Sequence, residues 1–439
     1  MRAFGAVLRD SVISLLVTGF IAGLFFAGGE IYFRMTRPFL LSDQPTRFVR
    51  DLGFLYAPDT EQRYTNQLDF WTVQKSNPDG FLDLPVPPFD TVKDKCRIAF
   101  VGDSFVDARE VVIAQKMQTR LMELAPKDLP NVPISAAAFG FAATGQLNQL
   151  PFYDFYAAKY RPNVIVLVFV MNDFANNTAL LEAIRSGFDP EHPPRPFARR
   201  AADGTIAMLP VDNDGWRAHL FPSAPGDGLV QRANAFLRTH SYFYAWIYTK
   251  LQMVLPKFTT WLYGFNQIAA NTARRDALAA RPGNAALLAG FSGNLPDNDN
   301  PVDATTAVDM PFTWEKMPPI FEEGLAFTGF ALDQFVARAR RDGAKLVIVS
   351  TENMRYDDQP ADRRYKRLEA LAAARNIPII DMYDYNVSRG RSPFASAFPA
   401  DMHWNPDGHL WAAQALLGFL KAHPDYCPAS SASAASPSR

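Results

Sequence analysis

The sequence predicts an α/β protein: a three-layer α/β/α core around a central parallel sheet of five strands, with a large, mostly helical insertion and an N-terminal transmembrane helix. Three observations predict it. From residue 97 onward, short runs of β-branched and aromatic residues alternate with helical stretches, the pattern of a parallel sheet covered on both faces. Residues 174–320 interrupt that rhythm between the third and fourth runs, as an insertion does. Near the N-terminus, residues 11–29 carry no charge.

Taken in order, residues 1–37 read as a membrane anchor. As a helix, the uncharged run SVISLLVTGFIAGLFFAGG covers about 28 Å, most of a hydrocarbon core of about 30 Å. Ile31, Tyr32 and Phe33 follow Glu30 as an interfacial girdle, with Arg34 and Arg37 behind them. Ala27, Gly28 and Gly29 keep a cleavable signal peptide open as an alternative. Arg2 and Arg9 before the run match Arg34 and Arg37 after it, so the positive-inside count is a tie. The expectation is a single-pass protein of a bacterial inner membrane with its body in the periplasm. Residues 38–95, rich in Pro, Asp and aromatics without a sustained period, read as a tether and irregular segment.

Residues 96–173 supply the first half of the core: strands at 97–101, 132–137 and 164–170, with helices at 115–125 and 146–160 between them. In the insertion, 229–255 reads as helix and carries Phe236, Tyr242, Phe243, Tyr244, Trp246 and Tyr248, whereas 271–311 reads as a long loop. Those rings suit packing onto the core, a substrate cleft or a membrane surface. Residues 321–425 complete the core. A helix over 321–342 stops at Asp342 and Gly343 before a strand at 345–350, and a helix over 361–375 leads to a strand at 377–381. The last helix opens on Asn405 as N-cap and Pro406 at the first helical position, with Leu410, Ala413, Leu417 and Leu420 on one face. The tail, 426–439, is disordered by composition.

The 439 residues hold 44 Lys plus Arg against 45 Asp plus Glu, so no global field draws the chain to nucleic acid. Cys96 and Cys427 have neither the number nor the spacing of a disulfide framework or a zinc site. No cofactor or metal is implied.

The chemistry starts at IAFVGDSFVDARE, residues 98–110, where Ser104 falls just past the first strand. Ligands and catalysis in open α/β sheets gather at that edge. A serine hydroxyl needs a base to become a nucleophile at neutral pH. Of the six histidines, His192, His219, His240 and His423 lie in loops, in the aromatic helix or at a helix end. DMHWNPDGH, residues 401–409, offers His403 with Asp401 two residues before it to hold the other ring nitrogen, while His409 reads as a capping or packing residue. Acyl transfer also needs donors for the oxyanion. Gly140, after the second strand, and Asn172, after the third, stand at the same sheet edge as Ser104.

GDSF with Ser104, the loop with Gly140, MND with Asn172 and DMHWNPDGH with Asp401 and His403 resemble, in that order, the four blocks of the SGNH (GDSL-like) hydrolase family. The resemblance covers 96–180 and 340–422. It implies a flavodoxin-like fold and a Ser104, His403, Asp401 triad, with an oxyanion hole from the Ser104 and Gly140 N–H groups and the Asn172 amide. Two blocks depart from the common pattern. Val170 stands where the third block has glycine, and D-x-H-W replaces D-x-x-H, a variant that resembles the alginate O-acetylation proteins. The expected function is a membrane-anchored serine esterase or O-acetylesterase acting on an acyl ester of an envelope carbohydrate or lipid. An O-acetyltransferase of exported polysaccharide and a non-catalytic anchored binding subunit are the alternatives. Protein partners are not indicated.

Overall fold

The computed structural model describes residues 2–221, 228–295, 306–355 and 363–427, with side chains from residue 11. The elements that matter for the site, in chain order, are helix α1 (Arg2–Thr36), strand β1 (Cys96–Gly102), helices α2 (Ser104–Asp107) and α3 (Met117–Asp128), strand β2 (Ile134–Gly140), helix α4 (Gln146–Phe155), strand β3 (Val164–Phe169), helices α5 (Leu229–His240), α6 (Tyr242–Val254), α7 (Pro256–Tyr263) and α8 (Pro319–Asp342), strand β4 (Lys345–Ser350), helix α9 (Arg363–Ala373), strand β5 (Ile379–Asp381) and helix α10 (Pro406–Ala422). The chain divides into two compact units. One comprises 1–42, 65–71 and 224–265, the other 43–64, 72–223 and 266–439.

The larger unit is built on the expected five-stranded parallel sheet, in spatial order β2-β1-β3-β4-β5. This is the flavodoxin-like order, whose switch point lies where β1 has β2 on one side and β3 on the other. Cys96 to Gly102 of β1 align with Ile134 to Gly140 of β2, so Gly102 and Gly140 sit side by side at the carboxyl edge. On its other side Ile98 of β1 aligns with Val164 of β3. Alternate side chains point to opposite faces, and each face has its own core. Ala99, Val101, Ile165, Leu167 and Phe169 meet Leu150 and Tyr153 of α4 and Phe327, Leu332 and Phe335 of α8. Ile98, Phe100, Val166, Val168 and Val349 meet Leu121 of α3 and Leu416, Leu417 and Leu420 of α10. Burial on both faces is why these strands read as unbroken apolar runs.

Helix ends follow the capping residues. Asn405 accepts hydrogen bonds from the N–H groups of Asp407 and Gly408 to open α10, and Gly343, at φ 67°, closes α8 in the left-handed conformation. Three expectations are revised. Residues 38–95 are not irregular throughout: Thr46–Val49 pairs antiparallel with Gly53–Tyr56, and Glu61–Thr65 and Trp71–Lys75 are strands of five residues each. Segments so short leave little period to read. The expected loop over 271–311 begins inside the helix Gln267–Ala279 and contains the helical turn Asn284–Leu287, while 296–305 lies outside the described residues. The two cysteines form a disulfide, with Cα atoms 5.3 Å apart, that joins the start of β1 to the chain after α10. A separation of 331 residues hides such a pair from any spacing rule. Of the expected disordered tail, 426–439, Tyr426 and Cys427 are ordered, the latter by the disulfide, and 428–439 lies outside the described residues.

The smaller unit holds α1 with α5, α6 and α7. The expected helix over 229–255 is broken at Ser241, whose hydroxyl caps α6 by accepting from the Tyr244 N–H at 3.1 Å. Within α1, Ser11–Thr36 is long and apolar enough to cross a membrane, with mean hydropathy 2.1 and no fully buried residue in its apolar stretch.

Candidate active site

Ser104 is the first residue of α2 and follows β1 by one residue, Asp103. Asp103 opens the helix by accepting from the Phe105 N–H at 3.1 Å. The short helix lies directly on the strand ends because two glycines leave room for it. A Cβ on Gly102 would stand 2.5 Å from Val106 Cγ2, and one on Gly140 would stand 2.6 Å from the Asp107 nitrogen. The missing side chain of Gly140 therefore sets how close α2 comes to β2. Ala108 ends the helix at φ 47°, returning its N–H to the Ser104 carbonyl at 2.7 Å. A left-handed alanine is a mildly strained residue, of the kind that clusters near functional sites.

His403 comes from the other end of the chain, on the short strand Asp401–Trp404 before α10. Its Nε2 is 2.8 Å from Ser104 Oγ, and its Nδ1 is hydrogen-bonded to Asp401 Oδ1. The same oxygen accepts from the His403 backbone N–H at 3.2 Å. With Nδ1 donating to Asp401, Nε2 is left as the acceptor facing the serine. The next residue locks the strand. Trp404 is buried and donates from Nε1 to Glu352 Oε2 at 2.7 Å, while Asn386 donates to the other Glu352 oxygen at 2.7 Å. Phe105 packs against both the His403 and Trp404 rings, with centroids 5.1 Å away in each case. Gly408 has no space for a side chain, since a Cβ would stand 2.4 Å from the Ser396 carbonyl oxygen. His409 is buried edge-on to Trp404, 5.5 Å between centroids, and burial pushes its pKa down to about 3, in keeping with the packing role read from the sequence.

A second carboxylate faces the histidine that the motifs do not name. Glu110 Oε1 lies 3.4 Å from His403 Nδ1 and 3.5 Å from Arg109 Nε. Glu110 is 2% exposed, and among the described residues neither of its carboxylate oxygens has a hydrogen-bond partner. Burial lowers the pKa of His403, but the charge of Glu110 and the hydrogen bond and charge of Asp401 outweigh it and raise the group to about 9. Burial raises Asp401, and its bond to His403 more than reverses this, so the carboxyl lies below the usual range. Glu110, Asp401 and His403 present ligand atoms within 4.8 Å of one another, close enough for a cation, though their hydrogen bond and ion pair already account for the closeness.

Asn172 follows β3 and stands at the N-cap of a short helical turn, Asp173–Asn176, without capping it. Instead its Nδ2 donates across the sheet edge to Asp103 Oδ2 at 3.1 Å, and the same oxygen is 3.3 Å from Ser104 Oγ. Buried Asp173 accepts from the Val170 N–H at 2.8 Å, a bond that shapes the tight turn at the position where the resembled family has glycine. Burial raises the Asp103 carboxyl above its ordinary range. Asp401, His403, Ser104, Asp103 and Asn172 thus form one continuous set of contacts at the carboxyl edge of β1 and β3, and Gly140 lies beneath α2 beside them. A cavity of about 570 Å³ lined by Thr178, Arg200, Leu209, Glu323 and Phe327 includes none of them. Glu110 and Glu352 are the contributors that sequence reasoning missed. The one signal for Glu110 is its place six residues after Ser104, in the turn that ends the first motif.

No family model matches the chain. No curated protein matches it by sequence. Solved structures do. An acetylxylan esterase from Geobacillus stearothermophilus is 10% identical over 74% of this chain and 92% of its own, with a TM-score of 0.34. An α/β hydrolase enzyme from the metagenome of Lake Arreo, Spain, is 11% identical over 75% and 96%, with a TM-score of 0.35. A lipase/acylhydrolase from Enterococcus faecalis is 11% identical over 74% and 95%, with a TM-score of 0.31.

Proposed function

We propose that the chain is a serine-dependent ester hydrolase, tethered to a membrane by α1 and acting on an acyl ester of an envelope carbohydrate or lipid. One observation carries the reaction type: Asp401, His403 and Ser104 are joined in series by hydrogen bonds at the carboxyl edge of a parallel sheet. In the proposed reaction Ser104 Oγ adds to the ester carbonyl carbon as its proton passes to His403 Nε2. The carbonyl electron pair moves to oxygen. The Asn172 amide, linked to the serine through the shared Asp103 Oδ2, and the Ser104 and Gly140 N–H groups are the proposed donors to that oxyanion. Collapse expels the alcohol, which takes the proton from Nε2, and leaves an acyl-serine. Water then adds to the acyl carbon with His403 again as base, and the acid leaves from Ser104.

The substrate class rests on the resemblance of the four motif blocks and on the setting of the chain. A disulfide is characteristic of oxidising compartments, and that favours the body outside the cytoplasm where the arginine count was a tie. The test is covalent. A fluorophosphonate probe labels Ser104 in the full-length protein, and Ser104→Ala abolishes both labelling and p-nitrophenyl acetate hydrolysis, a loss on the order of 10³-fold or more. Parent-rate hydrolysis by Ser104→Ala removes the proposal.

A further inference from the structure

The insertion contains a segment that the hydrolase reading leaves unused. From 228 to 275 the chain has no Asp or Glu, while Arg232, Arg238, Lys250 and Lys257 are spread through α5, α6 and α7. The same helices leave large apolar side chains uncovered: Leu229 is 76% exposed, Val254 70%, Phe236 60% and Trp261 55%. On α5, Leu229, Val230, Phe236 and Leu237 recur at a spacing of seven, so they share one face. On α7, Phe258 and Trp261 are three residues apart and stack, with centroids 5.9 Å apart. Apolar faces with aromatic rings and only cations among the charged residues are the composition of a helix that lies on an anionic lipid surface.

The contacts of this segment with α1 set the depth at which those faces would lie. The uncharged run of α1 ends at Gly29, and Glu30 is its first charge. The Glu30 carboxylate accepts from Ser241 Oγ at 2.7 Å and from the Phe243 N–H at 3.0 Å, at the N-terminus of α6, where a helix favours negative charge. Phe243 packs on Phe25 and Phe26, with centroids 5.4 Å away in both cases, and a Cβ on Gly29 would stand 2.8 Å from its ring. Arg34 donates to the His240 carbonyl at 2.7 Å. The corner between α5 and α6 is therefore fastened to the turn of α1 where its uncharged run ends.

We infer that α5, α6 and α7 form a platform that rests on the surface of the bilayer crossed by α1, with apolar side chains in the interface and cations against anionic headgroups. The inference rests on the reading of α1 as a transmembrane anchor, and the experiment separates the two. Both native cysteines are paired, so a single introduced cysteine can be labelled with bimane in the full-length protein. Leu16→Cys, Leu229→Cys and Phe258→Cys are each reconstituted in phosphatidylcholine–phosphatidylglycerol vesicles, with and without lipid spin-labelled near the headgroup end of its acyl chain or at depth. Positions 229 and 258 should lose roughly half their emission to the shallow label, and position 16 should lose as much to the deep one. Quenching at 16 with none at 229 and 258 overturns the platform and leaves the anchor standing. No quenching at 16 overturns both. Emission at 229 and 258 that responds to protein-to-lipid ratio but not to spin label assigns the face to a second copy of the chain, and also overturns the inference.

Discussion

At the scale of single residues, the unusual feature is a histidine facing two carboxylates. Asp401 holds Nδ1 through a hydrogen bond, and Glu110 adds a second negative charge 3.4 Å from the same nitrogen. Asp103, next to Ser104, adds a further negative charge that acts on the ring, and Arg109 pairs with Glu110. Only the neutral imidazole accepts the serine proton, so with His403 raised to about 9 the kcat/KM of ester hydrolysis should climb with pH toward that value. Removing an anion makes the protonated form less stable and lowers the pKa. Glu110→Gln should therefore shift the climb to lower pH while Ser104 still reacts with a fluorophosphonate. A profile that stays in place would show that Glu110 does not act on the ring through its charge. Trp404 offers a second test. Trp404→Phe leaves a Glu352 oxygen buried without its donor, a loss on the order of 1–3 kcal/mol, read as a lower denaturation midpoint. An unchanged midpoint would mean that this bond does not hold the His403 strand.

At the scale of elements, the site depends on how closely a four-residue helix lies on two strand ends. Gly102 and Gly140 are aligned neighbours in the sheet, and together they define the seat of α2. Gly140→Ala would place a methyl group 2.6 Å from the Asp107 nitrogen, so α2 and Ser104 have to lift away from β2. Because a displacement of about 1 Å can cost on the order of 100-fold in rate, kcat should fall steeply while the far-ultraviolet spectrum stays that of the parent. A variant with parental kcat would show that the seat of α2 is more yielding than the packing indicates. The elements themselves were legible to different degrees. Strands buried on both faces announce themselves as apolar runs, and α10 announces itself through Asn405 and Pro406. The short strands in 46–75 and the break at Ser241 did not, because four or five residues carry little period and the Ser241 break coincides with contacts to α1, more than two hundred residues away.

At the scale of the whole molecule, the Cys96–Cys427 bond closes the sheet-bearing unit on itself by joining β1 to the chain beyond α10. Cys427→Ser should lower the stability of the protein by about 2–4 kcal/mol, measured by chemical denaturation against the oxidised parent. Two reactive thiols in protein isolated without reductant would argue against the pairing and against an oxidising compartment. Features that repeat or cluster along the chain are legible in it directly: the order of strands and helices, the uncharged run of α1, and the motifs that put Ser104, Asn172, Asp401 and His403 beside strand or helix ends. Tertiary structure alone decided which distant groups meet. It set Glu110 against His403, Glu352 against Trp404 across 52 residues, Cys96 against Cys427 across 331, and Glu30 against the start of α6. Period and capping are properties of neighbours along a chain, whereas these contacts arise only when packing closes long loops, and no local pattern records their outcome.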